Sequence, residues 1–121
     1  MTKTILTVDD SRTMRDMLRL ALSSAGYDVI QAEDGLAGLE ALGTTSPDVI
    51  ITDINMPRLD GFGFIAGVRE KGQHRTVPIL VLTTESDPEK KMRARKAGAT
   101  GWIVKPFDPA KLVDAVRRVA A

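Results

Sequence analysis

Five short apolar runs alternate with five helical patterns along the chain, and this alternation restricts the fold more than any other feature. Residues 5–8, 27–32, 48–52, 78–82 and 101–104 read as strands. The third and fourth runs are continuously apolar, as strands buried on both faces are. After the first, Met14, Met17, Leu18, Ala21, Leu22 and Ala25 recur at helical spacing, and Gly26 supplies a helix stop. Asp34 is placed to cap a short helix carrying Leu36, Leu39 and Leu42. A loop with Pro57 and Gly61 leads to a third helix bearing Phe64, Ile65 and Val68. The fourth, over residues 88–97, has one large apolar residue, Met92, which predicts loose packing. Asp108-Pro109 opens the fifth, whose buried face is Leu112, Val113 and Val116. Repeated strand–helix units of this length predict one α/β domain over residues 1–121, a parallel sheet with helices on both faces. Right-handed crossovers leave few topologies, and ligands of such sheets bind beyond the carboxyl ends of the strands.

Composition narrows the chemistry. With 121 residues, 43% of them hydrophobic and 27% charged, the chain can bury a core and is not disordered. It has no cysteine, which excludes disulfides and thiolate metal sites and fits a reducing, cytoplasmic setting. One histidine, His74, excludes multi-histidine metal sites; its place between Gly72 and Pro78 predicts a surface loop. A net charge of +1 argues against a nucleic-acid binder. No apolar run approaches the roughly 18 residues of a membrane span, and the N-terminus enters a strand at once, unlike a signal peptide.

The polar residues gather at the carboxyl ends of the expected strands. Asp9 and Asp10 follow the first, Asp53 the third, Thr83 and Thr84 the fourth, and Lys105 the fifth. If strands one and three are neighbours, about 4.8 Å apart, three carboxylates converge. Crowded carboxylates repel unless a cation intervenes, and an oxygen-only cluster suits a hard ion such as Mg²⁺. Lys105 is long enough to reach the same place from strand five. A carboxylate can attack phosphorus to form an aspartyl phosphate, with a lysine and a threonine hydroxyl holding phosphoryl oxygens. Singly, each residue reads equally well as a helix cap or a surface charge.

In these residues the chain resembles the receiver domain of bacterial two-component response regulators. The motifs are Asp9-Asp10, Asp53, Met56-Pro57-Arg58-Leu59-Asp60-Gly61, Thr83 and Lys105-Pro106-Phe107, in the family's order along almost the whole chain. The resemblance implies a doubly wound, flavodoxin-like sheet of order 2-1-3-4-5 with five helices. It implies Asp53 as phosphoacceptor, with Mg²⁺ bound by Asp10, Asp53 and the Asn55 carbonyl, and by Asp9 through water. Thr83 and Lys105 hold phosphoryl oxygens, and the Lys105-Pro106 bond is cis. Asn55 and Glu85 match the family's pair that tunes hydrolysis. The switch aromatic of strand five, usually Tyr or Phe, is Trp102.

The family's members are not enzymes in the ordinary sense; they accept phosphate from phosphohistidine and assist their own phosphorylation and dephosphorylation. The reading that follows is a monomeric single-domain regulator, phosphorylated by a partner histidine kinase. Its output would be protein binding through the fourth helix, fifth strand and fifth helix, since no DNA-binding domain follows residue 121. It is most similar to the family's chemotaxis regulators, which act on the flagellar motor switch. Residues 86–121 carry a net +5 and the remainder −4, which reads either as ordinary solvated helix faces or as a face that prefers acidic targets. A phosphorelay intermediate or phosphate sink is the alternative within the family. A haloacid-dehalogenase-type phosphatase would need an acid at position 55, which is Asn. A flavodoxin would need a Ser/Thr/Gly-rich loop in place of Asp9-Asp10-Ser11-Arg12.

Overall fold

The computed structural model describes residues 2–120. Five strands, β1 (Thr4–Val8), β2 (Asp28–Ala32), β3 (Val49–Thr52), β4 (Ile79–Thr83) and β5 (Gly101–Val104), form one parallel sheet of order β2-β1-β3-β4-β5. The helices are α1 (Arg12–Ser24), α2 (Gly35–Ala41), α3 (Gly61–Glu70), α4 (Pro88–Ala97) and α5 (Pro109–Ala120), with a short 3₁₀ turn at Gly72–His74. The expected strand order and five helices are the observed ones.

Local chemistry explains where the helices start. Ser11, Asp34 and Asp60 each accept the amide of the residue three positions on, namely Met14, Ala37 and Gly63. Asp87 caps α4 through the Glu89 amide, with Pro88 in the first turn. Gly98 ends α4 at φ +118, a left-handed backbone that glycine adopts without the Cβ penalty.

The sheet separates two apolar layers. On one side α1 and α5 bury Leu18, Leu22, Leu112 and Val116 against Ile5, Val49, Ile51, Leu80 and Leu82. On the other, Phe62, Phe64, Ile65 and Val68 of α3 meet Leu6, Val8, Ile50, Ile79 and Val81. Phe62 and Phe64 are buried and Phe107 half-buried, as their apolar character requires.

One expectation fails. His74 is not in a surface loop; it is 2% exposed, and its Nε2 lies 3.1 Å from the Leu42 carbonyl just past α2. Met92, the one large apolar residue of α4, is 53% exposed and Ala94 is the buried residue, in keeping with the loose packing expected of that helix. Leu36 is 41% exposed, because α2 packs through Leu39, Leu42 and the small face at Gly38, which lies on the Phe64 ring. No helix among the described residues is long and apolar enough to cross a membrane.

Candidate functional site

Sheet register brings the acids together. Val8 pairs with Thr52, so the residues that follow, Asp9 and Asp53, leave the sheet side by side. The Asp53 amide donates to the Val8 carbonyl at 2.9 Å and holds the two strand ends in step. Asp9, Asp10 and Asp53 each offer a carboxylate oxygen, all within 4.8 Å of one another. Asp9 and Asp53 are buried, at 2% and 8% exposure, whereas Asp10 faces solvent.

Lys105 arrives from β5. Thr83 pairs with Val104, and the Lys105 amide donates to the Thr83 carbonyl at 2.8 Å. From there Nζ donates to Asp9 Oδ2 at 2.8 Å and to Asp53 Oδ2 at 2.9 Å. The Lys105-Pro106 peptide is cis. Asp53 Oδ1 accepts the Ile54 amide at 2.6 Å, so both of its oxygens are engaged. Asp9 Oδ1 accepts the Ser11 amide at 2.9 Å. The carboxylate end of this fold is also tight: a Cβ on Gly61 would collide with the Asp53 carbonyl and the Ile54 backbone, so only glycine fits there.

Burial pushes the Asp9 carboxyl above its ordinary value, against the lowering effect of Lys105 and of the Ser11 amide. Burial alone would lower Lys105, but its bonds to Asp9 and Asp53 outweigh it and raise the ammonium. The two directions are compatible. One lysine serves two buried acids, so the cation is well compensated and Asp9 is not. The cluster therefore lacks positive charge. Its all-oxygen donor set, with Asp10 open to solvent, fits a hard divalent ion.

The other expected residues lie on β4, on β5 and in the loops after β3 and β4. Thr83 is fully buried, and its Oγ1 accepts the Glu85 amide at 3.3 Å. Glu85 joins three elements: its carbonyl accepts the Trp102 indole N–H at 3.0 Å, and its Oε2 pairs with Lys90 of α4 at 2.9 Å. Trp102 is half-buried and packs on the α3 side of the sheet, opposite Ile103. Asn55 is exposed at the start of the β3–α3 loop. Sequence reasoning missed Lys90 and also Arg15, whose guanidinium donates to the Asp9 carbonyl at 2.7 Å. Both are ordinary helix-surface cations in sequence, and only the fold shows what they touch.

A sheet of this order with an Asp–Asp–Lys cluster at its carboxyl end defines a class, and direct comparison agrees. The model of the response regulator receiver domain matches residues 5–117, and the chain belongs to that family. It is 41% identical over 107 residues to the chemotaxis protein CheY1 of Helicobacter pylori, covering 87% of this chain and 86% of that protein. Among solved structures, the chemotaxis protein CheY4 of Vibrio cholerae superimposes with a TM-score of 0.95 at 45% identity, covering 98% of this chain and 99% of that one. The receiver domain of the Pseudomonas aeruginosa sensor histidine kinase PA1611, solved with magnesium coordinated in its active-site cleft, gives 0.92 at 28% identity, covering 99% and 98%.

Proposed function

We propose that this protein is a single-domain response regulator, phosphorylated on Asp53 by a partner histidine kinase, that signals in chemotaxis by binding a protein target. The observation that carries the reading is the Lys105 ammonium bridging Asp9 and Asp53, with Asp10 beside them. The likeness to chemotaxis proteins over nearly their whole length supports the biological setting.

In the reaction a carboxylate oxygen of Asp53 attacks the phosphorus of a phosphohistidine. The new O–P bond forms as the N–P bond breaks, and its electron pair returns to the imidazole ring. The Ile54 amide on Oδ1 fixes the plane of the Asp53 carboxylate beforehand. Lys105 and the Thr83 hydroxyl then hold phosphoryl oxygens. Asp10, Asp53 and the Asn55 carbonyl would hold Mg²⁺, with Asp9 assisting through water, and the bound ion would supply neutralisation of charge on the transferred group. Asn55 and Glu85 stand at the rim and set access of water to the phosphorylated carboxylate.

When Thr83 engages the phosphoryl group, its bond to the Glu85 amide is given up. Glu85 in turn holds Trp102 and Lys90, so β5 and α4 respond. The altered surface is α4, β5 and α5, and its excess of Lys and Arg selects an acidic target, such as the motor switch. The test is labelling with a small phosphodonor such as acetyl phosphate. Wild type should acquire acid-stable, base-labile phosphate that EDTA prevents, and Asp53→Asn should acquire none. Labelling of Asp53→Asn equal to wild type would overturn the assignment.

A further inference from the structure

The β3–α3 loop is gripped from outside itself. Arg58, at its turn, has φ +67, the left-handed region that is disfavoured for residues with a Cβ. Such a conformation persists where the surroundings over-determine it. Here the guanidinium forks onto Asp34, with Nε donating to Oδ2 at 2.7 Å and a terminal nitrogen to Oδ1 at 3.0 Å. Asp34 is 4% exposed and heads α2, where its Oδ1 also accepts the Ala37 amide at 2.9 Å. One residue beyond Arg58, the Leu59 carbonyl accepts the Gly35 amide at 3.2 Å. The loop's two ends are tied to each other by the Gly61 amide on the Ile54 carbonyl at 2.8 Å. Asn55, Met56 and Pro57 lie between these fastenings.

Neither Asp34 nor Arg58 touches Lys105 or the three acids, so the proposed chemistry leaves this pair without a task. The Leu59 amide closes a tight turn onto the Pro57 carbonyl at 2.7 Å around Arg58, and the fork onto Asp34 fastens that turn to the head of α2. We propose that Arg58 is a positioning residue: clamped on Asp34, it fixes the β3–α3 loop so that the Asn55 carbonyl stands ready for Mg²⁺ before the ion arrives. This rests on the metal assignment above. A loop already ordered gives up less conformational freedom when it binds, so the clamp appears as affinity. Lysine reproduces the effect only in part, because the planar fork alone meets both Asp34 oxygens at once.

The experiment is a calorimetric Mg²⁺ titration of the unphosphorylated full chain, with amide exchange followed at Asn55 and Met56. Arg58→Ala and Asp34→Asn should each weaken Mg²⁺ binding about fivefold and speed exchange at those amides. The double variant should be no weaker than either single, and Arg58→Lys should fall between. Arg58→Gly removes the guanidinium but relieves the left-handed strain. It should melt no lower than Arg58→Ala and still lose the same Mg²⁺ affinity, which a merely structural role would not produce. Wild type binding Mg²⁺, with every variant binding it equally well, would overturn the clamp and leave the metal site standing. No Mg²⁺ binding by wild type would overturn both.

Discussion

Helices α1 and α4 lie on opposite faces of one sheet and are held there by different forces. α1, with α5 beside it, sinks Leu18, Leu22, Leu112 and Val116 into the apolar layer. α4 contributes Ala94, with Ala97 partly buried beside it, to the other layer, and polar contacts add to this small apolar contribution. Arg69 of α3 reaches the carboxyl end of α4, donating to the Gly98 carbonyl through Nε at 3.2 Å and a terminal nitrogen at 2.7 Å. Its other terminal nitrogen serves the carbonyls of His74 and Arg75. Arg93 stacks 4.0 Å from the centroid of Phe62. Lys90 and Trp102 hold the approach to α4 through Glu85. Apolar burial is lost only when the helix leaves the sheet. A hydrogen bond or exposed ion pair can be exchanged for water at a net cost of about 1 kcal/mol or less. The fold thus assigns its rigid side to α1 and α5, and its adjustable side to the helix next to Glu85.

The largest expected effect tests the rigid side. Leu22→Ala should cost about 2–5 kcal/mol in urea unfolding, and Met92→Ala about 0.5 kcal/mol or less. Equal losses would break the comparison. Arg69→Ala should leave the Gly98 carbonyl poorly served and lower the local opening free energy of α4 by about 1–3 kcal/mol. Amide exchange would show this as faster exchange in α4 with α1 and α5 unchanged; uniform acceleration would mean that Arg69 supports the whole fold. Trp102→Phe deletes the indole donor to Glu85 and should cost about 1 kcal/mol, confined to the β4–α4 loop and the start of α4 in the same experiment.

The smallest effect concerns pH. The Arg58 fork, and then the Ala37 amide, hold the Asp34 carboxyl below its ordinary 3.8. A depressed carboxyl stabilises the fold fully above its unfolded pKa, and that contribution is lost as pH falls through the folded value. The melting-temperature gap between wild type and Arg58→Ala should therefore narrow below about pH 3.8, while the gap to Leu22→Ala persists. A gap to Arg58→Ala independent of pH would mean that the ion pair adds nothing.

The rigid side was also the more legible in the sequence. Leu18, Leu22, Leu112 and Val116 follow helical spacing, and continuous apolar runs mark β3 and β4, because burial imposes a period that any reader can count. The carboxylate cluster was legible too, since strand ends in a parallel sheet share one edge. What stayed hidden lies in contacts between residues remote in sequence. Arg58 and Asp34 are 24 positions apart, and Arg69 and Gly98 are 29 apart. Nothing local separates either arginine from a solvated one. His74 read as a loop residue because its partner, the Leu42 carbonyl, is 32 positions away. Met92, a lone apolar residue among charges, has no periodic companions to say which way it faces, and the loose packing read from it is what its exposure shows.

The span of the Lys105 bridge bears on how the molecule is made. Its carboxylates come from β1 and β3 and its ammonium from beyond β5, with 96 positions between Asp9 and Lys105. The parallel pairing beneath them is also remote, with Thr4 opposite Asp28 and Ile5 opposite Val49, which places the fold among slow-forming topologies. A chain emerging from the ribosome passes through lengths at which both acids are present and their lysine is not. At those lengths the carboxyl edge of the sheet holds uncompensated negative charge, and closing it is unfavourable. On the proposed function, competence to accept phosphate waits on Lys105, and a phosphodonor label counts molecules in which its bridge to Asp9 and Asp53 has formed.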